Sequence, residues 1–197
     1  MESKAYHHGN LKNSLIEAGI KLINREGFSS FSLRKVAAIC NVSHAAPYKH
    51  FKNKDELVDA IMEYVNIRFS EALIEVIKQY NDPYQQIIKL GRAYVCFMVE
   101  NPDYFEFLFL GTLKHNVQID AYNQAGYFSQ PFNIFKNSAI NYLKSINVKK
   151  EDFTDNITAM WAMVHGLSVM FVNRTVVYDT NSLDLVEKIL SQKLNLR

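Results

Sequence analysis

Residues 27–61 read GFSSFSLRKVAAICNVSHAAPYKHFKNKDELVDAI, and this stretch marks its own turns. Gly27 stands where a left-handed residue would close a helix, and Phe28 can fold back onto that last turn. Ser32 is suited to an N-cap, after which Val36, Ala37 and Cys40 give a short inward face of about two turns. Asn is among the non-glycine residues most willing to take positive φ, so Asn41-Val42-Ser43 reads as a tight turn. Ser43 can then cap a second short helix, VSHAAPYKHF at 42–51. Two short helices joined by about three residues describe a helix-turn-helix, whose second helix enters a DNA major groove N-terminus first.

At roughly 100° per residue, Pro47 and Phe51 face inward over Val42, while Ala45 and Lys49 point away with Ala46 and Tyr48 beside them. Small side chains at the tip let the helix axis approach base edges. Tyr48 and Lys49 reach phosphate oxygens, and His44 reaches a base or a phosphate. Pro47 lacks an N–H and pushes Ala46 away from helical φ/ψ, which at the edge of a first turn shortens or tightens the helix rather than breaking it. Asn53 caps the next helix, with Glu56 three residues on as in a capping box, and Lys54 at its start is available to a phosphate.

Upstream, Leu11, Leu15, Ala18 and Leu22 step by a helical period toward Gly27. Downstream the pattern predicts amphipathic helices over roughly 54–80, 83–100, 103–112, 118–146 with a break near Pro131, 152–178 and 183–194. No strand pattern competes, so the fold class is all-α. With 197 residues and 48% hydrophobic content, the chain can form one large or two smaller domains, each with a core.

The start, MESKAYHHGN, has no apolar signal-like region, and no apolar run approaches the roughly 18 residues of a membrane span. A cytoplasmic protein without membrane partners is expected. Cys40 and Cys96 sit in apolar helical patterns and are expected reduced and buried. Residues 1–54 hold nine Lys/Arg against three Asp/Glu, a local balance of +6 within a net charge of +2. A cationic head on a mildly acidic body fits a nucleic-acid partner at one end, though solvated lysine faces make such asymmetry common.

Four of the six histidines, His7, His8, His44 and His50, lie in this head. His44 and His50 are six apart and so about 120° from one another around a helix, and no zinc spacing is present; no metal or cofactor is expected. No nucleophile elbow, phosphate loop or paired-carboxylate signature points to catalysis.

The stretch 27–61 resembles the helix-turn-helix domain of the TetR family of bacterial transcriptional repressors, over roughly residues 8–60. Val42, Ser43, Tyr48, His50, Phe51, Lys54 and Leu57 fall where that family keeps its turn, recognition, core and phosphate-contacting residues. The family usually has Gly at the position of Asn41 and Leu or Ile at Pro47. The resemblance implies a three-helix DNA-binding domain over 8–55 and a larger helical effector-binding and dimerisation domain over 56–197. It also implies double-stranded DNA with a palindromic operator as partner. His44, Ala45, Ala46, Tyr48, Lys49 and His50 would face that DNA, with Ser43 at the helix start and Ser32 and Lys54 on the backbone.

Residues 61–197 hold 20 of the 25 aromatics and five of the six methionines. Such an excess is ordinary core, or else the wall of an apolar cavity. WAMVHGL at 161–167 places Trp161 and His165 on one helix face, with Ala162 and Gly166 as a small strip permitting close helix approach. It resembles the Trp-His-Gly signature of one TetR C-terminal subgroup. The resemblance implies a small apolar or aromatic effector, with Phe97, Phe105, Phe109, Trp161 and His165 as candidate contacts; Trp161 and His165 also read as a buried hydrogen-bonded structural pair, the commoner role of a core histidine.

The stripes Val164, Leu167, Phe171 and Leu183, Val186, Leu190, Leu194 read as a self-association face or as packing onto the rest of the domain. The resemblance implies a homodimer through these two helices, with Leu167, Phe171, Val186 and Leu190 at the interface. The function implied is a dimeric repressor released from DNA by a small effector. A DNA-binding protein without an effector and an enzyme using the aromatic cavity are the competing classes.

Overall fold

In the computed structural model, which describes residues 11–110, 130–176 and 182–194, the chain is helical and no strand occurs among the described residues. Expectations for residues 1–10, 111–129 and 177–181, among them His7, His8 and the first part of the helix expected over 118–146, lie outside the described residues. The helices are α1 (Leu11–Glu26), α2 (Leu33–Ile39), α3 (Lys54–Gln79), α4 (Pro83–Glu100), α5 (Pro102–Phe105), α6 (Gln130–Ser145), α7 (Phe153–Val172) and α8 (Ser182–Lys193). They divide into two compact units: described residues up to Val65 together with 103–110, and 66–102 together with the remainder.

The first unit is built on α1, which packs against α2. Leu15, Ile20 and Leu22 are essentially inaccessible to water, each burial favouring the fold by about 1.5–3 kcal/mol. Gly19 allows a close approach: a Cβ there would meet Ile61 Cδ1 at 2.7 Å. The Glu17 carboxylate accepts from Tyr64 Oη at 2.9 Å and Tyr104 Oη at 2.6 Å. After Gly27 the chain takes a short 3₁₀ turn at Phe28–Ser30. Gly27 has φ 75° and ψ 163°, so it is not the left-handed helical closure expected, although its positive φ still favours glycine.

α5 continues into a π-helical turn at Glu106–Leu110, where the sequence predicts uninterrupted helix over 103–112. Phe105, the last residue of α5, and Phe107 in that turn are both fully buried. A π turn re-phases the side chains, which lets two residues only two apart point into one core.

In the second unit α4 is central and packs against α6, α7 and α8. Asp82 caps it, accepting from Gln85 N at 2.8 Å, and Pro83 follows at the first helical position, where its missing N–H has no cost. Gly91 lies under α8: an added Cβ would meet Leu190 Cδ1 at 2.5 Å and Val164 Cγ1 of α7 at 3.2 Å. Lys89 and Arg92 of α4 pair with Glu187 of α8 at 2.5 and 3.5 Å. Tyr142 of α6 donates its hydroxyl to the carbonyl of Leu194.

Candidate functional site

The turn between α2 and the segment after it is made by three backbone bonds. Cys40 N reaches Val36 O at 3.0 Å, Asn41 N reaches Ala38 O at 3.2 Å, and Val42 N reaches Ala37 O at 3.0 Å. This is a Schellman closure with Asn41 at φ 53°, the position glycine usually fills. Ser32 caps the other end of α2, accepting from Lys35 N at 3.3 Å.

The segment that follows is not the α-helix expected over 42–51. Residues 44–46 form a turn and bend, and Pro47–Lys49 is a single 3₁₀ turn. Its bonds are Ala46 N to Ser43 O at 2.9 Å, Lys49 N to Ala46 O at 3.2 Å, and His50 N and Phe51 N to Pro47 O, each at 2.9 Å. Pro47 is the physical reason. In an α-helix residue 47 would donate to Ser43 O, proline cannot, and Ser43 O is taken by Ala46 in the tighter three-residue pattern. Ser43 therefore engages through its carbonyl rather than through the side-chain cap expected.

The side chains nonetheless divide as the helical projection predicts. Pro47 is buried and Phe51 is 2% exposed. Ser43, His44, Ala45, Tyr48 and Lys49 are exposed, and Ala46 and His50 are half-buried. Tyr48 is 52% exposed, one of the large apolar side chains left open to solvent. Lys54 sits with Nζ 4.4 Å from the Phe28 ring centroid, a cation–π contact that parks the ammonium at the start of α3. Asn53 Oδ1 caps α3 through Glu56 N at 2.8 Å, and Glu56 Oε2 returns to Lys52 N at 2.5 Å, close to the box expected. Lys35 and Arg25 are both paired with Glu26; Lys35 first and Arg25 second hold that carboxyl below its ordinary range.

The candidate effector residues fall in two places. Phe105 and Phe109 belong to the first unit, with ring centroids 5.4 Å apart. Phe97, Trp161 and His165 belong to the second. There Tyr94 of α4, which sequence reading missed, is the hub. Its ring meets Trp161 edge-on at 5.2 Å and Phe69 of α3 at 5.1 Å, and its hydroxyl lies 3.2 Å from His165 Nδ1. Phe69 stacks on Phe97 at 4.8 Å, and Phe132 and Phe135 of α6 meet the Trp161 edge at 4.8 and 5.5 Å. Tyr94 was legible only as one apolar position of an amphipathic helix; nothing in its local sequence marks its partners.

Burial raises the Tyr94 hydroxyl far above its usual range and lowers the His165 imidazole. The phenol therefore keeps its proton and hydrogen-bonds an uncharged imidazole. A separate cleft of about 530 Å³ between α4 and α8 is lined by polar groups such as Gln85, Asp184, Glu187 and Lys188; none of the five candidate effector residues borders it.

Three of the four expected interface residues are spent inside the chain. Val186 is 0%, Leu190 2% and Leu167 8% exposed, and Leu190 fills the space above Gly91. Phe171 alone remains half-exposed. The α8 stripe is a core stripe because the glycine on α4 admits it. The outward apolar positions are instead Ala159, Ala162 and Met170 on α7, with half-buried Leu185 and Ile189 on α8, and a Cβ at Gly166 would meet open space. Cys40 and Cys96 are half-exposed rather than buried, their Sγ atoms on Ser14 O at 3.4 Å and Glu100 Oε1 at 3.2 Å. No helix among the described residues is long and apolar enough to cross a membrane.

Comparison with known proteins bears on both units. Residues 15–61 match the family described as bacterial regulatory proteins, tetR family, and residues 87–192 match the tetracyclin repressor-like C-terminal domain. An uncharacterised HTH-type transcriptional regulator of Haemophilus influenzae is 29% identical over 92 residues, 47% of this chain and 49% of that protein. The class G tetracycline repressor of Vibrio anguillarum is 42% identical over 52 residues, 26% of this chain and 25% of that protein. The chain thus spans half or less of the length of these relatives. The crystal structure of the transcriptional regulator FadR from Bacillus subtilis in complex with stearoyl-CoA superimposes with a TM-score of 0.70 at 16% identity, covering 93% of this chain and 97% of that one. The second of the two matched regions alone exceeds half the sequence, and the chain belongs to the TetR family of bacterial regulatory proteins.

Proposed function

We propose that the protein is a homodimeric DNA-binding transcriptional regulator, a repressor released from a palindromic operator by a small effector. The observation that carries this reading is the capped α2, the Asn41 turn and the exposed row His44, Ala45, Tyr48, Lys49 held over buried Pro47 and Phe51. A tip of small residues with hydrogen-bonding and cationic flanks suits close approach to base edges and phosphates. Ser32, Ser43, Ala46, His50 and Lys54 complete the docking face. The two-fold symmetry of a dimer matches two operator half-sites.

The effector reading is supported by the aromatic cluster around Trp161 and His165, a place where adaptable apolar walls surround a neutral hydrogen-bonding pair. FadR of Bacillus subtilis, similar in fold, was crystallised with stearoyl-CoA, so this architecture accommodates a long apolar molecule. WAMVHGL accords with the Trp-His-Gly subgroup, whose dimer forms through the last two helices. The self-association face is assigned to the outward positions Ala162, Gly166 and Met170 of α7 with Phe171, Leu185 and Ile189.

The test is selection of bound sequences from random duplex DNA, followed by titration at several salt concentrations. Tyr48→Ala is expected to weaken binding to the selected site by roughly 5- to 100-fold, and Lys54→Ala to reduce the salt slope by about one. Failure to enrich any sequence, or full binding by Tyr48→Ala, would overturn the docking face.

A further inference from the structure

α3 carries two buried polar side chains that the fold leaves unexplained. Asn66 is 8% and Ser70 3% exposed, and neither Asn66 Nδ2 nor Ser70 Oγ has a hydrogen-bond partner among the described residues. They stand four apart, on the face of α3 that also turns Phe69 and Leu73 inward. An unmade buried donor is costly enough that two within one helical turn call for a physical reason. Serine in a helix has a local remedy, the carbonyl four residues back. Ser168 uses it, donating to Val164 O at 2.9 Å; Ser70 does not.

Phe69 links this pair to the aromatic cluster, since its ring stacks on Phe97 and meets Tyr94, which in turn meets Trp161. We infer that Asn66 and Ser70 are the hydrogen-bonding end of the effector site, and that the effector is an apolar molecule carrying a carbonyl oxygen. This rests on the effector-responsive reading above. An amide NH₂ only donates and a hydroxyl donates equally well, so two donors on one face suit one oxygen with two lone pairs. The aromatic walls take the rest of the molecule, and the few polar groups fix its orientation. The carbonyl belongs either to a ketone or to a carboxylate, and the experiment separates the two.

The full chain is titrated with 2-alkanones of about six to twelve carbons, within the size range of small apolar ligands, and with alkanoates of the same lengths. Emission of Trp161, the one tryptophan in the sequence, and Tm are followed together. At least one chain length is expected to saturate the Trp161 signal, and Ser70→Ala and Asn66→Leu are each expected to weaken it by about tenfold or more. Whichever series binds tighter identifies the carbonyl. Far-UV circular dichroism checks the fold of each variant; Ser70→Ala removes one oxygen and introduces the strongest helix former, so it provides the answer if Asn66→Leu unfolds. Absence of saturable binding by every probe, the result expected if the two groups hold only an ordered water, overturns the inference. Binding by a folded Ser70→Ala chain as tight as the parent overturns it as well. Operator binding by the unchanged chain is measured separately: if that fails, the regulator reading falls while the carbonyl site stands on its own titration.

Discussion

Tyr94 and His165 form the kind of pair whose protonation is decided by burial. The imidazole is held below its ordinary value of 6.5 by desolvation, so the unfolded chain binds a proton more readily than the folded one. Stability from this group is complete above about pH 6.5 and is lost as pH falls below that value toward the folded pKa. His165→Gln is therefore expected to lower Tm at pH 7.5 yet to show a shallower fall in Tm than the parent below about pH 6.5; equal slopes in paired melts would dismiss the assignment. Glu17 is a second residue of this kind. Two tyrosine hydroxyls converge on its carboxylate, and the Tyr104 hydroxyl is raised by burial first and by Glu17 second. Glu17→Ala removes the carboxylate to which both phenols donate and is expected to cost about 2–3 kcal/mol, read by urea melts.

Helix ends show one device used three times. α2, α6 and α7 each close with a six-to-one backbone bond, Val42 to Ala37, Val148 to Leu143 and Thr175 to Met170, at about 3.0 Å. The residue at positive φ is Asn41, Asn147 or Arg174; glycine is used at none of them. Asn tolerates this backbone well, while Arg174 makes no side-chain bond among the described residues to offset its Cβ strain. Arg174→Gly is expected to stabilise the chain by about 0.5–1 kcal/mol, a rise in Tm of a few degrees, with little change for Asn41→Gly. Restoring the missing donor by Pro47→Leu should convert the 3₁₀ turn into a longer helix, seen as slowed amide exchange at residues 46–50. Unaltered exchange there would place the cause of the tight turn elsewhere.

At the level of the whole molecule, one close approach redirects an entire face. Because Gly91 admits Leu190, the α8 stripe is turned into the chain's own core and the outward face of α7 carries Ala162, Gly166 and Met170. Val186→Asp buries an unpaired charge in that core and is expected to unfold the protein, at a cost of several kcal/mol. Met170→Asp or Gly166→Arg should leave the helices intact by circular dichroism and shift sedimentation from dimer to monomer. A dimer surviving both would exclude the α7 face.

Helix positions along the chain follow from local rules: period, caps at Ser32, Asn53 and Asp82, and breakers such as Gly27 and Pro83 act within a few residues. The Asn41 turn and the inward placement of Pro47 and Phe51 were legible for the same reason. The tight form of the 43–51 segment was half legible, since proline announces a lost bond and the surrounding chain decides which carbonyl is left for its neighbour. Tyr94 as hub, Asn66 and Ser70 as unmet donors, and the burial of Val186 and Leu190 could not be read from periodicity. An amphipathic stripe records that a face is apolar and says nothing of what covers it, because the covering side chains lie many residues away and are brought together only by tertiary packing.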